Sequence, residues 1–375
     1  MKVSVLQEDL NKSLAGVGRV IPTRGQLPVL ANVLLEVDAE GLKLSGTNME
    51  IGMRIGVGGK TAEEGALTVP ARSLSEFVAS LTSGTVELTT EGDKLKVTAG
   101  KFGATMLGIG AAEFPVLPGG GGKDRGGIKI EKKIVAEIAA EVAFAAAADE
   151  SRPVLTGIKF QVVGESLNVV GTDGFRMSRK TIAFTKNTPN AQLSLLDGLI
   201  IPARTILELA RIVAEGQKES VDIEVMSSNN QVIFTYGKTE LISRILEGNF
   251  PEVSKIIPAE HKSESIIDRE ELMRAVRAAA IFARDNNNIV KLKVEEGKLT
   301  VKAMASQTGE SEMEVECESK GDDVEIAYNY RYVMDFLNSI NDERVVMRAN
   351  GGLVAGIWKG EKRDDLLHLI MPVRI

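Results

Sequence analysis

The sequence predicts an α+β protein of three similar domains, each with two helices packed on antiparallel sheets. Three observations carry this prediction. A helical pattern occurs three times along the 375 residues, segments of alternating apolar and polar residues lie between its copies, and proline and glycine cluster at residues 114–122 and 250–258. These two joints predict domains at 1–127, 128–258 and 259–375.

The clearest recurring pattern is an arginine followed by a helical stripe. Arg72, Arg204 and Arg331 are each followed by apolar residues at the second, fifth, sixth and ninth positions. That spacing places the apolar side chains on one face of an α-helix. In the first two copies proline lies two residues before the arginine, and proline suits a helix entry because its missing N–H has no helical partner there.

A second helix is predicted upstream of each of these three. For the third copy, Asp268 is a candidate N-cap and Glu271 stands at the third helical position, which is a capping-box pattern. The three apolar stripes are Leu6, Leu10, Leu14, Val17 and Ile21; Ile134, Ile138 and Val142; and Leu272, Val276 and Ala280.

Short segments that alternate apolar and polar residues predict half-buried, mostly antiparallel strands. Each domain is therefore expected to contain helix, strands, helix and strands in that order. The segments include 42–45, 86–89, 95–98, 167–170, 221–225 and 299–302.

Composition indicates a folded protein of a reducing compartment. Hydrophobic residues make up 43% of the chain, and the single cysteine, Cys317, excludes an internal disulfide framework. No apolar run approaches the roughly 20 residues that span a bilayer, and the N-terminus turns acidic where a signal peptide would stay apolar. We expect a cytoplasmic protein without a membrane partner. The net charge of −7 argues by itself against non-specific affinity for nucleic acid.

No residue pattern predicts catalysis, a metal or a cofactor. His261 and His368 lack neighbouring cysteine or histidine, and Cys317 stands among carboxylates that disfavour a thiolate. Residues 59–61, Gly-Lys-Thr, resemble the end of a phosphate-binding loop, but Arg54 stands where that motif requires its first glycine. We predict a loop between strands there. Nucleotide chemistry at this segment is the enzymatic alternative.

Several segments then resemble one family along the whole chain. Residues 30–37, 44–50, 172–177, 246–251 and 371–375 resemble the bacterial DNA polymerase III β subunit, the sliding clamp. The resemblance implies a non-enzymatic DNA-clamp fold. Two three-domain chains would join head to tail into a homodimeric ring, with sheets outside and twelve helices around duplex DNA.

The resemblance also implies where two chains meet and where DNA lies. Phe102 and Ala104 of one copy would meet Ile281 and Phe282 of the other. The predicted helices carry a small excess of positive charge, which suits weak, sequence-independent phosphate contacts. The candidate DNA-contacting residues are Arg24, Arg72, Arg152, Arg204 and Arg211.

A cleft between the second and third domains would bind short peptides of the replicative polymerase, the clamp loader and other proteins with a clamp-binding motif. An apolar pocket containing methionine suits several partners. Phe175 and Lys255 depart from the histidine and arginine common in the family. The implied cleft residues are Leu155, Thr172, Gly174, Phe175, Arg176, Met177, Pro251, Lys255, Ile256, Leu369, Ile370, Met371, Pro372, Val373 and Arg374.

The function expected from this resemblance is a clamp that encircles DNA and tethers the polymerase for processive synthesis. A monomeric, β-rich adaptor that binds peptides without encircling DNA remains an alternative. A native mass near 40 kDa, instead of twice that value, would favour the adaptor.

Overall fold

The computed structural model describes residues 1–23, 27–119, 127–184, 193–305 and 309–374. The chain forms two compact units. The first contains Met1–Lys132 and Arg211–Ile245, and the second contains Lys133–Ala210 and the chain from Leu246 onward.

Within the described ranges each sequence repeat contains two long α-helices, as the stripes predict. The side chains of the stripes that fall within the helices are buried or partly buried, and Asp268 caps its helix as expected, since its Oδ1 accepts a 2.8 Å hydrogen bond from the Glu271 N–H. The helices in the described ranges are α1 Gln7–Gly18, α2 Ala71–Ser80, α3 Lys132–Glu141, α4 Ala203–Glu215, α5 Arg269–Ala283 and α6 Tyr330–Ser339.

The first unit contains two antiparallel sheets, with strands numbered in chain order. The five-stranded sheet has the order β5 Lys60–Glu63, β1 Lys2–Leu6, β7 Thr85–Glu91, β8 Lys94–Ala99 and β9 Phe102–Leu107. The eight-stranded sheet has the order β10 Ile128–Glu131, β15 Ser220–Met226, β16 Gln231–Tyr236, β17 Thr239–Arg244, β4 Ile51–Gly58, β3 Gly41–Thr47, β2 Asn32–Asp38 and β6 Gly65–Pro70.

The described residues of the second unit form one antiparallel sheet of twelve strands. Its order is β14 Ile200–Pro202, β11 Gly157–Val163, β12 Ser166–Thr172, β13 Arg176–Ala183, β25 Leu366–Ile370, β24 Gly356–Gly360, β23 Arg344–Ala349, β18 Ser263–Asp268, β21 Gly309–Gly321, β20 Lys298–Ala305, β19 Ile289–Glu295 and β22 Val324–Asn329.

The sheets cross the repeat boundaries, which is why the two units do not coincide with three repeats. Strand β17 of the second repeat pairs with β4 of the first, and β25 of the third repeat pairs with β13 of the second. The boundaries at 127 and 258 therefore stay predictions about the repeats.

The core of the third repeat shows why its strands alternate. Leu272 and Val276 of α5 share one buried cluster with Val290 and Leu292 of β19. Residues of opposite parity on β19 are partly exposed, because successive side chains of a strand point to opposite faces. The helices thus cover one face of this part of the sheet.

Two local predictions are wrong. The first stripe extends from Leu6 to Ile21, but α1 spans only Gln7–Gly18, since Leu6 ends β1 and Ile21 lies beyond the helix. Lys60 and Thr61 were predicted to lie in a loop, yet they begin the edge strand β5, which pairs with β1. Edge strands tolerate polar residues, so this segment carries no alternating apolar pattern.

Candidate functional site

A buried apolar cluster of the second unit contains Met177 and Leu369, two of the residues predicted for the peptide cleft. Strand pairing places Met177 of β13 opposite both Thr172 of β12 and Leu369 of β25. Met177 and Leu369 share the cluster with Val170 and Ile357, and Phe250 from the joint packs into it. Met177 and Leu369 are each at most 1% exposed, so they form its floor.

A tight turn between β12 and β13 presents Phe175 at the edge of this cluster. The Thr172 hydroxyl donates to the Arg176 carbonyl at 2.6 Å and accepts from the Gly174 N–H at 3.1 Å. Asp173 Oδ1 accepts from the Phe175 N–H at 2.8 Å. Gly174 has a φ of +91°, a backbone conformation that favours glycine. The turn is thus held by side chains while Phe175 is 58% exposed.

Arg176 is held inside the protein by several partners. Its guanidinium pairs with Asp173 at 3.1 Å and with Asp335, and lies 4.7 Å from the Tyr332 ring centroid. It also donates to the Phe144 carbonyl at 2.8 Å. With its charge satisfied, Arg176 positions the turn and contributes little exposed surface.

Exposed side chains surround the buried cluster. Ile256 is 46% exposed and Met371 is 39% exposed, while Lys255 pairs with Glu252 on the surface. Met371 lies beside the turn, because its N–H donates to the Phe175 carbonyl at 2.9 Å. Pro251 is exposed and Pro372 is partly exposed. An apolar floor with an apolar rim is suited to bind aliphatic side chains of a peptide.

Other predicted cleft residues have different surroundings. Leu155 is buried, and Ile370 belongs to the core of the third repeat. The Val373 N–H donates to the Ala327 carbonyl at 2.8 Å, which ties the last described residues to β22. Arg374 lines a separate surface cavity. The cleft assignment as a whole stays a prediction.

Sequence reasoning missed several residues of the cluster. Val170, Ile357 and Phe250 contribute to its floor, and Val154 and Val253 pack against it. The alternation of β12 places Val170 on the same face as Thr172, so strand parity was a usable signal for that residue.

The candidate DNA-contacting arginines lie mainly on exposed helix surfaces. The Arg72 side chain is 90% exposed and pairs with Glu76 one turn along α2. Arg204 and Arg211 are exposed on α4. Arg152 is exposed and donates to the Asp173 carbonyl at 3.0 Å, so it lies beside the β12–β13 turn. Arg24 lies outside the described residues. DNA contact by these arginines stays a prediction.

The candidate dimer residues include unusually exposed apolar side chains. Phe102 is 62% exposed on β9 and Ile281 is 64% exposed on α5. Ala104 is partly exposed, and Phe282 is partly buried against the core of the third repeat. Large apolar side chains at such exposure often mark an interaction surface.

The two histidines show no catalytic arrangement in the described ranges. His368 is fully buried, and burial lowers its pKa to about 3, so its imidazole is neutral. His261 lies 3.6 Å from a Glu264 carboxylate oxygen on the surface. Burial raises the pKa of the Cys317 thiol, which disfavours the thiolate. None of the helices in these ranges has the length and apolar character needed to cross a bilayer.

Family comparisons cover almost the whole chain. Residues 1–118 match the model of the DNA polymerase III beta subunit N-terminal domain, 129–252 match the central domain, and 254–374 match the C-terminal domain. The beta sliding clamp of Pseudomonas aeruginosa is 30% identical over 380 residues and is covered completely, as is this chain.

Solved structures agree with the family comparison. The crystal structure of the Pseudomonas aeruginosa DNA polymerase III beta subunit has a TM-score of 0.89 and 29% identity, with complete coverage of both chains. The Bacillus subtilis sliding clamp has a TM-score of 0.92 at 23% identity, covering all of this chain and 99% of that one, which supports the fold. The predicted three-domain clamp fold is confirmed. The chain belongs to the DNA polymerase III beta subunit family, the family of beta sliding clamps.

Proposed function

We propose that this protein is a DNA sliding clamp that closes with a second copy into a ring around duplex DNA. The ring tethers the replicative polymerase by topology and hydrolyses nothing itself. The observation that carries this proposal is the way in which one repeat pairs with the next.

The two internal junctions between repeats are formed by strands at equivalent positions. Thr239–Ser243 of β17 pair with Ile51–Ile55 of β4 at the first junction. Leu366–Ile370 of β25 pair with Arg176–Lys180 of β13 at the second. In each case the last strand of one repeat pairs with the fourth strand of the previous repeat.

The same rule identifies two strands that lack this partner. Strand β9 is the last strand of the first repeat, and within the described ranges it forms a ladder with β8 alone. Residues 309–316 of β21 pair with β20 along one edge, and β18 covers only 317–321. Unpaired edges of this kind favour association with another chain. A β9–β21 pairing between two copies would repeat the junction and close the ring.

The repeat also predicts the register of that pairing. The turn before β9, Gly100-Lys101, matches Gly237-Lys238 before β17, so Phe102 corresponds to Thr239. Thr239 pairs with Ile55, whose counterpart in the third repeat is Met313. Phe102 should therefore lie opposite Met313, which is 39% exposed. Ala104 should lie opposite Ser311.

Ile281 fits the same interface. By position along its helix, Ile281 of α5 corresponds to Arg19 just after α1, counting from Leu272 and Leu10. Arg19 reaches across the first junction, with its Nη1 3.2 Å from Glu215 Oε1. An isoleucine at that position would make an apolar contact across the junction between copies.

DNA would contact the helices through weak charge interactions. Arg72 and Arg204 occupy the same position at the start of their helices and are exposed there. A chain with a net charge of −7 binds DNA weakly overall. Diffuse phosphate contacts then position the duplex without reading its sequence, which allows sliding.

Partner proteins would bind the apolar cluster beside Phe175 and Met371 with a short peptide. We assign this site to the replicative polymerase, the clamp loader and other proteins with a clamp-binding motif. The three clamp domains are assigned to 1–127, 128–258 and 259–375, and the site of action to the cytoplasm. The protein needs no cofactor for this role.

Topological retention tests the proposal. Protein loaded on nicked circular DNA should be retained during gel filtration and lost after the circle is cut. Equal retention on circular and linear DNA would refute encirclement. Gel filtration of free protein should give about twice 40.3 kDa, whereas a mass near one chain would favour the adaptor.

The register has its own test. Phe102→Cys and Met313→Cys in a Cys317→Ser background should cross-link with a short bismaleimide into covalently closed dimers. Either substitution alone should give none. Cross-linking of Phe102→Cys to a cysteine at Glu316 in preference to Met313 would contradict the register but not the ring.

A further inference from the structure

A surface cavity of about 880 Å³ lies on the third repeat, in the second unit. Its walls come from β19, the end of β20, the start of β21 and the end of the described chain. The residues that matter for its chemistry are Lys291, Lys293, Lys302, Met304, Glu310 and Arg374.

This cavity occupies the position in the third repeat that the apolar cluster occupies in the second. The β19–β20 and β11–β12 hairpins both have two-residue turns, so positions can be counted from them. Met304 then corresponds to Thr172. Strand pairing places Glu310 opposite Met304, as it places Met177 opposite Thr172.

The cavity and the cluster also share a face of the sheet. On β19, Val290 and Leu292 are buried under the helices, so Lys291 and Lys293 point to the other face. Lys302 corresponds by count to Val170, a floor residue of the apolar cluster. The cavity thus faces away from the helices of its repeat.

The chemistry of the two sites differs at equivalent positions. Where the second repeat has Val170 and Met177, the third has Lys302 and Glu310. Four cationic side chains and two carboxylates, Glu310 and Glu325, line the cavity. The chain as a whole has more acidic than basic residues. The side chains that line the cavity thus include two more cations than carboxylates.

The lysines remain accessible although they have acidic neighbours. The Lys291 and Lys302 side chains are 40% and 43% exposed. Their carboxylate partners lie on neighbouring strands, Glu325 of β22 at 3.7 Å from Lys291 and Glu312 of β21 at 2.9 Å from Lys302. Lys293, 42% exposed, pairs with Glu295 of its own strand at 2.7 Å. Exposed pairs of this kind are weak, so a ligand carboxylate can compete for the lysines. Met304, 58% exposed, adds an apolar contact.

Gly309, at the start of β21, lines the cavity. A Cβ atom added to Gly309 would meet no atom within 4 Å in the described structure. The next residue of β21, Glu310, corresponds to Gly52 in the first repeat. In the first repeat Leu117 fills the space beside this position, since its Cδ2 lies 2.7 Å from a Cβ atom added to Gly52. Strand pairing at β13 leaves Phe175 and Met371 exposed beside the ladder, so equivalent pairing at β21 need not close the cavity.

We propose that this cavity is a second docking site, which binds an acidic peptide segment carrying an aliphatic side chain. Carboxylates of the segment pair with Lys291, Lys293 and Lys302, and the aliphatic side chain contacts Met304. A peptide suits the site better than nucleic acid, because the cavity lies on the face opposite the helices that the proposed function assigns to DNA. Binding needs only the third repeat, so it does not depend on ring closure.

Fluorescence anisotropy tests the site with a labelled octapeptide of alternating glutamate and leucine. The full-length protein should bind it, more weakly as NaCl is raised. Lys291→Glu with Lys302→Glu should weaken binding at least tenfold. Lys129→Glu is the matched control, since Lys129 is an exposed strand lysine paired with Asp222 and should leave the affinity unchanged.

Four further outcomes separate the alternatives. The double variant should keep its melting temperature and its retention on circular DNA, which shows that the proposed function is intact. An affinity unchanged by the double variant would overturn the proposal. So would displacement of the peptide by an equal concentration of oligothymidylate, or its loss after Met177→Ala in the apolar cluster.

Discussion

The imidazole of His368 stacks on the ring of Phe336, with centroids 5.1 Å apart and planes inclined by 13°. Phe144 lies on another side of the imidazole at 5.3 Å, and neither ring nitrogen has a hydrogen-bond partner in the described structure. The histidine is fully buried, and this desolvation, with the nearby Arg176 charge, lowers its pKa to about 3. It therefore behaves as an aromatic core residue.

Acid should destabilise the protein through His368. Its pKa is about 3 when folded and 6.5 when unfolded, so between these values the unfolded chain binds more protons. The free energy of unfolding then falls as pH drops from 6.5 towards 3, by up to about 1.4 kcal/mol per pH unit from this group. Urea titrations at several pH values should show that the free energy of unfolding depends less steeply on pH in His368→Phe than in the parent protein. Identical slopes would contradict a neutral histidine.

Removal of Lys180 should destabilise the second unit strongly. Its side chain is 4% exposed, and its Nζ lies 2.9 Å from Glu137, 2.8 Å from Glu141 and 2.8 Å from Asp365. Lys180→Met removes the cation that these three carboxylates share. Loss of one partner of a buried ion pair lowers the free energy of unfolding by about 3–5 kcal/mol. Urea unfolding measures the change.

Lys129→Met provides the control for Lys180. Lys129 also pairs with a carboxylate from a neighbouring strand, but its side chain is 72% exposed. Exposed pairs contribute about 0–1 kcal/mol, so this variant should unfold almost as the parent does. A Lys180→Met loss below about 1 kcal/mol would mean that Arg363, which pairs with both Glu141 and Asp365, compensates alone.

Thr172→Val should weaken partner-peptide binding by loosening the turn that presents Phe175. The substitution removes the hydroxyl that donates to the Arg176 carbonyl and accepts from the Gly174 N–H. We expect about a tenfold loss, since a hydrogen bond is worth about 0.5–1.5 kcal/mol. Fluorescence anisotropy with a polymerase-derived peptide measures it. Thr172→Ser keeps the hydroxyl and should restore affinity, and failure to do so would argue against the hydrogen bonds.

Truncation before Met371 should abolish peptide binding and leave the dimer intact. Met371 joins the cleft rim beside Phe175, whereas Phe102 and Ile281 lie on other strands and helices. Peptide anisotropy and gel filtration of the same preparation give both readouts. Unchanged peptide affinity would show that the residues from Met371 onward do not contribute to peptide binding.

Phe102→Asp should convert the proposed dimer to monomer, because it places a charge on the β9 edge, which pairs only with β8 in the described ranges and which we propose meets β21 of the second copy. Gel filtration at micromolar concentration should then give a mass near 40.3 kDa. Val116→Asp, at a residue 94% exposed in the same unit, is the matched control and should stay dimeric. Dissociation of both variants would point to a general effect of added charge.

The helices and most strands were predictable because the spacing of apolar residues within each segment shows which of its faces is buried. The stripe around Leu272 and Val276 and the cap at Asp268 depend only on neighbours a few residues away. The polar edge strand at Lys60 has no such pattern and was missed. Lys180 was missed for another reason, because its partners Glu141 and Asp365 are distant in sequence.

The candidate cleft was predictable by resemblance, and its chemistry only in part. The motif from Thr172 to Met177 identified the turn and its buried methionine. Periodicity cannot say which strand lies next to β13, so the contributions of Ile357 and Val170 to the floor came from the fold. For the same reason the sequence could not show that Arg374, predicted for the cleft, lines the cavity of the third repeat.

The ladder between β17 and β4 has a consequence for how this chain can be divided. A fragment ending near residue 127 would lose the partner of Ile51–Ile55 and present a bare strand to solvent. Such a fragment is expected to aggregate, since exposed edges template pairing with other chains. A cut near residue 258 has the same effect, because it separates β25 from β13. Excision of a single repeat would therefore expose a strand at every junction that it breaks.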